Sequence, residues 1–165
     1  MTLKEKIQAE VKKAMLEKNA VGVLVLRMLL ASILNKEKEK RAKLSKDEKD
    51  IAKLEQLSKI NDEEALEVIS SEVKKRKDSI EQFAQGGRSD LVEKEKKELE
   101  VLMKYLPEQI SEDEIRKIVK DKIEELNISS GKSEAAGKLM GAIMPQLKGK
   151  ADGSLVSKIV SEELK

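Results

Sequence analysis

A helix-start signal recurs four times along this chain and constrains its fold more than any other feature. In each copy a Thr, Ser or Asn is followed three residues later by Glu. The two side chains then accept hydrogen bonds from backbone N–H groups that the first helical turn leaves free. The copies begin at Thr2, Ser45, Asn61 and Ser111. Strand signals are nearly absent, so the sequence predicts an all-α protein.

Apolar residues recur at helical spacing after these starts and indicate a folded core. Leu3, Ile7, Val11 and Met15 follow one another at four-residue intervals, which gives the first helix one apolar stripe. Charged residues make up 40% of the 165 residues, a level that also fits disorder, but the net charge is only +2 and the periodicity is strong. Aromatic residues make up 1% of the chain, so the core must be aliphatic.

Further helices are predicted in the first two thirds of the chain. One begins near residue 21, broadly apolar at first and charged in its second half. The helix after Ser45 is predicted to bury three residues, Ile51, Leu54 and Leu57. Gly86 and Gly87 end the helix that begins after Asn61, because glycine accepts the left-handed conformation of a helix C-cap at no steric cost.

The segment Tyr105-Leu106-Pro107 is the clearest boundary in the chain. Proline disfavours a helical residue before it, so a helix is predicted to end near Tyr105 or Leu106. Ile110 and Ile115 flank the next helix start at the positions of a hydrophobic staple. We therefore predict an N-terminal helical bundle at residues 1–106 and a C-terminal three-helix module at 107–165. Its helices are expected at about 112–126, 133–146 and 153–164.

Several catalytic chemistries are excluded because the residues they need are missing. The chain has no cysteine, which rules out disulfides, thiolate nucleophiles and cysteine-ligated zinc. It has no histidine, which removes the usual general base and the commonest metal ligand. The carboxylates alternate with lysines on predicted helix faces and follow no EF-hand pattern. We therefore expect no catalytic residue, no metal site and no cofactor.

The segment Gly131-Lys132-Ser133 resembles the end of a phosphate-binding P-loop but lacks the rest of that motif. A P-loop needs a glycine five residues before Gly131, where this chain has Leu126, and a strand that leads into the loop. The preceding segment is predicted to be helical. Ser133 is therefore interpreted as a helix N-cap.

No apolar run is long enough for a membrane span. The longest candidate, residues 21–34, contains Arg27 and Ser32 and falls short of the roughly 18–20 apolar residues that a span requires. The first residues have no apolar signal core. We therefore expect a cytoplasmic protein without membrane contact. Abundant Lys and Glu with few Asn is also typical of proteins from thermophiles.

One segment near the C-terminus is unlike the rest of the chain. Five of the eight glycines fall between Gly131 and Gly153. A glycine inside a helix costs roughly 1 kcal/mol relative to alanine, so Gly137 and Gly141 indicate that another backbone comes close. That backbone is either a neighbouring helix of the same module or a nucleic-acid strand, and both explanations fit the glycines equally well.

Lysines in the same segment favour the binding explanation. Residues 149–153 are predicted to form a tight loop before the last helix, with Asp152 as its N-cap, and a lysine-rich loop beside a helix N-terminus can hold phosphate. The residues predicted to contact nucleic acid are Gly137, Lys138, Gly141, Lys148, Gly149, Lys150 and Gly153.

Two further basic features are secondary candidates. Lys74, Lys75, Arg76 and Lys77 form a run in the middle of a predicted helix, so their side chains fan around it. A solvated helix face is the simpler explanation of this run, and contact with a phosphate backbone is the alternative. Arg88 is the other secondary candidate.

Together these residues resemble a known family. The run from Gly137 through Gly149-Lys-Ala-Asp-Gly153 to Val156 is similar to the tail domain of the B subunit of the tRNA-dependent amidotransferase. Other segments resemble the free-standing GatB/YqeY family: Arg27 in its apolar helix, residues 72–79, 87–91, and 98–109 with Tyr105-Leu-Pro-Glu-Gln109. Residues 46–60 look like an insertion relative to shorter members.

The resemblance implies an all-helical two-domain protein with a role in contacting tRNA. In the amidotransferase, a carbon–nitrogen ligase that uses glutamine as amide donor, the tail domain helps to hold tRNA. Nothing in this chain resembles that enzyme's kinase-like cradle or its Ser-Ser-Lys amidase site. The leading hypothesis is therefore a non-catalytic module that binds tRNA or another structured RNA.

Two alternatives remain open. One is an adaptor that docks an aliphatic patch around Ile143, Met144 and Leu147 onto a protein such as an amidotransferase subunit or an aminoacyl-tRNA synthetase. The other is an auxiliary part of a carbon–nitrogen ligase, active only in a complex.

Overall fold

The computed structural model describes residues 1–128 and 133–164. Within those ranges the chain consists of α-helices without any strand, which confirms the predicted all-α class. It divides into two compact units, Met1–Tyr105 and Leu106–Lys165. The helices are α1 (Leu3–Leu16), α2 (Ala20–Leu44), α3 (Ile51–Ser58), α4 (Asp62–Gln85), α5 (Ser89–Met103), α6 (Glu112–Glu125), α7 (Ser133–Leu147) and α8 (Gly153–Glu163).

The N-terminal unit is arranged around α2, which contacts each of the other four helices of this unit. Its largest fully buried side chains are all aliphatic: Ile7, Val25, Leu29, Ile33, Ile69 and Leu102. The near-absence of aromatic residues therefore has the expected consequence, a core of Leu, Ile and Val.

Three of the four predicted helix starts are confirmed. Thr2 with Glu5, Asn61 with Glu64, and Ser111 with Glu114 each form both hydrogen bonds of a capping box. The prediction at Ser45 is wrong, because α2 runs on to Leu44 and Ser45 caps its C-terminus. The next helix begins six residues later, where the Asp50 carboxylate accepts hydrogen bonds from the N–H groups of Ala52 and Lys53. Aspartate is as good an N-cap as serine.

Two predicted apolar stripes are displaced by one residue at their ends. Ile7 and Val11 are buried as expected, but the third buried residue of α1 is Ala14, and Met15 is 52% exposed. In α3, Leu54 is buried as predicted, but Ile51 is 70% exposed and Leu57 is 46% exposed, and Ser58 is buried instead of Leu57. In α1 a repeated four-residue interval drifts off the buried face because the helix has 3.6 residues per turn.

The predicted breaks between helices are largely confirmed. Gly87 has a φ of +69° and follows α4 directly after its C-cap. The helix before Pro107 ends at Met103, two residues earlier than predicted. Ile115 is fully buried, and Ile110 packs against the same core, which agrees with the predicted hydrophobic staple.

The C-terminal unit packs α6, α7 and α8 against one another. Its core consists of eight aliphatic side chains that are at most 1% exposed: Ile115, Val119, Leu139, Ile143, Leu147, Val156, Ile159 and Val160. All of them come from these three helices, so this core is closed within the unit and fixes where the segment between α7 and α8 lies.

Candidate nucleic-acid interface

The loop between α7 and α8 is held in place by the segment that precedes α6. The side-chain amide of Gln109 donates a 2.6 Å hydrogen bond to the carbonyl oxygen of Gly149. The backbone N–H of Ile110 donates to the carbonyl oxygen of Lys150 at 3.0 Å. Two consecutive carbonyls of the loop are thereby satisfied inside the protein, and the backbone that carries Lys150 is fixed.

Gly149 is required by the fold and does not form part of an open surface. The residue is buried and has a φ of +75°, a left-handed conformation that side chains disfavour. A Cβ atom at this position would lie 3.3 Å from Cδ of Pro107. The expectation that Gly149 permits close approach of a ligand is therefore corrected: the close neighbour is Pro107.

The start of α8 agrees with its predicted geometry. The Asp152 carboxylate accepts a 2.7 Å hydrogen bond from the N–H of Ser154 and caps the helix. Gly153 is the first helical residue and is exposed. A Cβ atom there would meet Cε of Met144 at 3.8 Å, an ordinary van der Waals distance, so packing does not demand a glycine.

Gly137 and Gly141 form an open face on α7. Both are exposed, and a Cβ atom at either position would have no neighbour within 4 Å among the described residues. Close packing of α7 against another helix of this unit therefore does not explain them. Of the two explanations that the sequence leaves open, packing against another described helix of the unit therefore finds no support.

Pro145 continues the same face one turn further along α7. It is exposed, and it lies inside the helix four residues after Gly141. Proline has no N–H group, so the carbonyl oxygen of Gly141 lacks its usual helical hydrogen bond. The open face thus combines two positions without side chains and a backbone acceptor without its helical donor.

Two of the three predicted lysines have exposed side chains, Lys138 on α7 and Lys150 in the loop that follows this helix. Lys138 and Lys150 are exposed, and neither forms an ion pair with a side chain that the structure describes. Lys148 is half-buried and already takes part in an interaction within the protein. Lys138 and Lys150 are therefore the stronger candidates for contact with an anion.

Three of the four cations of α6, Arg116, Lys120 and Lys122, pair with carboxylates. Arg116 donates to Glu163 at 2.7 Å, to Glu162 at 2.8 Å and to Glu112 at 3.2 Å. The hydrogen bonds that Arg116 donates to these carboxylates, chiefly the one to Glu163, raise the pKa of Arg116, and Arg116 in turn lowers the pKa of Glu163. Lys122 pairs with Glu125 at 2.7 Å.

Positive charge is therefore concentrated on the segment that carries the open face. Between residues 135 and 153 the chain has three lysines and one aspartate. That aspartate, Asp152, is the N-cap of α8. An approaching polyanion therefore meets two exposed lysines on this segment, Lys138 and Lys150, that have no ion-pair partner among the described side chains.

The basic run on α4 does not form one patch. Arg76 is only 14% exposed and bonds Glu95 at 3.0 Å and Glu98 at 2.9 Å, so it links α4 to α5. Lys75 pairs with Glu72 at 2.8 Å, and Lys74 is also engaged within the protein. The candidate role of Arg76 in phosphate contact is corrected, because its guanidinium is buried against two carboxylates. Among the four, Lys77 is the exposed cation that remains a candidate.

Arg88 is exposed but has a carboxylate partner two residues away. Its guanidinium donates to both carboxylate oxygens of Asp90, at 3.1 and 2.9 Å. These hydrogen bonds raise the pKa of Arg88 and lower that of Asp90. A phosphate would have to displace Asp90 before it could bind here.

Some sequence features fall outside what the structure describes. Gly131 and Lys132, which resemble part of a P-loop, lie outside the described residues, as does the side chain of Ser133. Across residues 1–128 and 135–164, no group of acidic side chains is arranged to hold a metal ion. In the same described part of the chain, no helix combines the length and apolarity needed to cross a bilayer.

Pro107 and Gln109 hold the loop between α7 and α8 in place, a role that sequence patterns do not indicate. Both belong to the motif Tyr105-Leu-Pro-Glu-Gln109, which carries only the family resemblance. A polar residue between a proline and a helix start offers a weak signal for a backbone contact. Its acceptor lies 40 residues later, and no local pattern indicates that pairing.

Comparison with known proteins decides the family. The YqeY-like protein family matches residues 4–164, nearly the whole chain. The chain belongs to the YqeY-like family.

Relatives of this YqeY-like chain include fungal proteins named altered inheritance of mitochondria protein 41, mitochondrial. The protein from Pyrenophora tritici-repentis is 35% identical over 95% of this chain and 78% of its own length. The one from Lachancea thermotolerans is 37% identical over 61% of this chain and 46% of its own length. The one from Saccharomyces cerevisiae is 30% identical over 83% of this chain and 68% of its own length.

The names of these relatives correct one expectation. The expected cytoplasmic location is contradicted, because the relatives of this YqeY-like chain are named as mitochondrial proteins. Neither the family description nor these names states an enzymatic activity, a ligand or a binding partner.

Among the described residues of α7, the aliphatic side chains that an adaptor was expected to dock lie largely in the core of the unit. Ile143 and Leu147 are at most 1% exposed and belong to the core of the C-terminal unit, while Met144 packs against that core. These side chains stabilise the unit and are not available to a partner.

Proposed function

We propose that the C-terminal unit of this YqeY-like protein is a non-catalytic module that binds structured RNA, tRNA in particular. The binding surface is the face of α7 with Gly137 and Gly141, together with Lys138 and Lys150. The observation that carries the proposal is the exposure of both glycines, at which an added Cβ would have no neighbour within 4 Å among the described residues. Each glycine lowers the stability of its helix. Close packing of an RNA backbone against this face, which larger side chains would prevent, explains why glycine occupies these positions.

Electrostatics support the same surface. Phosphate contacts from lysines supply most of the affinity of proteins for nucleic acids and make it dependent on salt. Lys138 and Lys150 are exposed, and neither forms an ion pair with a described side chain. Phosphate contacts position a protein along the backbone without reading sequence.

The composition of the unit favours structured RNA over unpaired bases. No aromatic residue occurs in residues 106–165. Proteins that bind single strands stack bases on aromatic rings, and this unit has none. Recognition then depends on shape, on phosphates and on 2′-hydroxyl groups, which are how proteins recognise RNA helices.

The carbonyl of Gly141 provides a means to distinguish RNA from DNA. Pro145 leaves this oxygen without a helical donor on an exposed face. A ribose 2′-hydroxyl can donate to it, and a deoxyribose cannot. The same face is therefore expected to prefer RNA over DNA of equal charge.

A salt-dependent titration tests the proposal. The full chain is titrated with bulk tRNA in filter-binding assays at about 50 mM and about 200 mM salt, conditions over which phosphate-dominated affinities fall steeply. The variant Lys138→Gln/Lys150→Gln should bind more weakly, and its slope of log affinity against log salt should be shallower by about 1 to 2. A DNA hairpin of the same length should bind more weakly than tRNA.

A matched double variant controls for lost charge. Lys94 and Lys97 are exposed on α5, and neither has an ion-pair partner among the described side chains. Lys94→Gln/Lys97→Gln removes the same charge from the other unit and should leave tRNA affinity nearly unchanged. No binding at low salt, or equal losses in both double variants, would contradict the proposed surface.

A further inference from the structure

The solvent-facing side of α2 is unusually apolar for an exposed helix face. Arg27 is the only charged residue from Ala20 to Asn35. The inner side of this segment is buried, through Val25, Leu26 and Leu29. A helix that is apolar all round is normally buried all round, yet this one lies at the surface of the N-terminal unit.

The exposed apolar residues of α2 follow the spacing of a coiled-coil seam. Val21, Leu24, Met28 and Ala31, here called the outer strip, are separated by three, four and three residues. All four are exposed, with Val21 at 39%, Leu24 at 48% and Met28 at 43%. This a/d spacing is the pattern with which one helix pairs with another. The strip is about 15 Å long, at 1.5 Å per residue.

A groove lies beside the N-terminal end of the outer strip, where α1 meets α2. Its volume is about 430 Å³, and it is lined by Ala14, Met15, Lys18, Ala20, Val23, Leu24 and Arg27. The lining contains two cations and no carboxylate. The guanidinium of Arg27 contacts the sulfur of Met15 at 3.6 Å, and it has no carboxylate partner among the residues that the structure describes.

Lys18, which lines the groove, has a left-handed backbone conformation that is unfavourable for lysine. Its φ is +54°, and it follows α1 in a Schellman motif, with Asn19 N–H bonded to the carbonyl of Ala14. The equivalent positions after α4 and α6 are Gly87 and Asn127, the two residue types that accept this conformation best. Backbone strain of this kind concentrates at functional sites.

We infer that the outer strip and this groove together dock an amphipathic α-helix of another protein, with an acidic side chain seated opposite Lys18 and Arg27. The length and heptad spacing of the strip fit a helix of about three turns and exceed what a small molecule covers. The two cations without a carboxylate between them complement an acidic residue on that helix. This interaction is independent of the RNA-binding surface proposed above, which belongs to the other unit.

A second copy of this chain does not supply the missing carboxylate. Arg27 directly precedes Met28 and so takes the flanking position whose charge selects the partner in a coiled coil. In an antiparallel pairing of two outer strips, Arg27 would face Arg27 of the other copy. In a parallel pairing it would face Ser32, five residues further along. Neither arrangement neutralises the guanidinium, so the partner is a different chain.

A synthetic helix tests the inference directly. The probe is a fluorescent peptide of about three heptads with Leu at the a and d positions and Glu at the flanking positions, kept monomeric and helical by a hydrocarbon staple on its opposite face. Matched peptides carry Gln or Lys in place of Glu. Fluorescence anisotropy with the full chain should show the tightest binding for the Glu peptide, about threefold weaker binding for Gln, and weaker binding still for Lys.

A charge-reversal variant and a control variant at an equally exposed leucine distinguish specific binding from nonspecific hydrophobic binding. Arg27→Glu should invert the preference, so that the Lys peptide binds better than the Glu peptide. Leu24→Glu should weaken all three peptides at least about tenfold. Leu57→Glu alters a leucine on α3 that is 46% exposed, against 48% for Leu24, and should leave binding unchanged.

Lys18→Gly gives a readout that a purely structural role would not produce. Glycine relieves the left-handed strain, so the variant should unfold at higher urea concentration than the wild-type protein. Its affinity for the Glu peptide should nevertheless fall about twofold to threefold. Greater stability with undiminished affinity would remove Lys18 from the site.

The alternative occupants are separate outcomes that would overturn the inference. Sedimentation of the full chain alone tests for a second copy, and a dimer that Leu24→Glu dissociates would replace the heterotypic helix. Flotation with vesicles of phosphatidylcholine and phosphatidylglycerol tests for a lipid surface, and binding that Leu24→Glu abolishes would identify a membrane. Equal binding of the three peptides, or no peptide binding at all, would also contradict the inference that the site docks an acidic amphipathic helix.

Discussion

The side-chain amide of Gln109 donates a 2.6 Å hydrogen bond to the carbonyl oxygen of Gly149, 40 residues later in the chain. The same nitrogen also donates to the carbonyl oxygen of Pro107 at 2.9 Å. One amide group therefore joins the segment before α6 to the loop before α8. The position of the Lys150 backbone depends on this junction and on the adjacent bond from Ile110.

Replacing this amide is expected to loosen the loop. Gln109→Glu removes the donor and places a carboxylate against two carbonyl oxygens, so at neutral pH the C-terminal unit should lose about 1–3 kcal/mol of stability. The loss should shrink as the pH is lowered, because a protonated carboxyl regains one O–H donor. Urea unfolding followed by circular dichroism at several pH values measures it. Gln109→Met, which has no titratable group, should show no such recovery, and equal behaviour of the two variants would contradict this role of the amide.

Substitutions on the open face of α7 should raise stability while lowering RNA affinity. At Gly137 and Gly141 an added Cβ meets no neighbour within 4 Å. Gly137→Ala/Gly141→Ala should therefore stabilise the unit by about 0.5–1 kcal/mol per site, as expected for glycine to alanine inside a helix. Thermal unfolding and tRNA titration on the same samples check both effects.

Gly149→Ala is the control for this experiment. Its positive φ and its contact with Pro107 predict a loss of stability of at least about 1 kcal/mol. Unchanged tRNA affinity in the stabilised double variant would show that the open face does not contact RNA.

Arg76 is expected to be a stability residue and not a binding residue. Arg76→Leu leaves the carboxylates of Glu95 and Glu98 beside each other at 13% and 5% exposure, without their cation. Breaking a buried ion pair in this way typically costs about 3–5 kcal/mol. The triple variant Arg76→Leu/Glu95→Leu/Glu98→Leu should recover much of the loss, since no uncompensated charge remains. Urea denaturation measures each variant, and a small effect of Arg76→Leu alone would contradict the buried arrangement.

The ion cluster at Arg116 predicts how stability changes in acid. Arg116 lowers the pKa of Glu163 below its ordinary value of 4.5, so the stabilisation is fully present above that pH and is lost as the pH falls through the folded-state pKa. The difference in urea midpoint between wild type and Arg116→Gln should therefore be largest near neutral pH and should shrink below about 4.5. Lys117→Gln changes the next residue, an exposed lysine without an ion pair among the described side chains, and should show no such dependence. A constant difference across this range would contradict the assignment.

Much of the fold is readable from local sequence, because its signals act within one helical turn. Capping boxes at Thr2, Asn61 and Ser111 need only a side chain and a backbone N–H three residues away, and all three are confirmed. Ser45 misleads because its hydroxyl also suits the end of a helix, where it bonds the carbonyl of Ala42. Asp50, five residues later, provides the better start.

The candidate surface could be predicted only in part, because it depends on contacts between residues that are distant in sequence. The glycine and lysine pattern marks the segment from Gly137 to Gly153, but which positions are open depends on contacts distant in sequence. Gly149 and Gly141 look alike in sequence, yet one packs against Pro107 and the other faces no neighbour. Arg76 likewise looks like part of a basic run until Glu95 and Glu98 are brought beside it.

The expected cytoplasmic location also failed, and the reason is general. A cytoplasmic default rests on the absence of signals, and the helical surface of a folded protein does not encode its compartment. The mitochondrial names of the relatives supply information that neither charge nor periodicity contains.

The self-contained core of the C-terminal unit has an evolutionary consequence. Its described buried residues all come from the span of Leu106–Lys165, so a gene segment encoding that span carries everything the fold needs. Such a segment can be fused to another gene without redesign of the host protein.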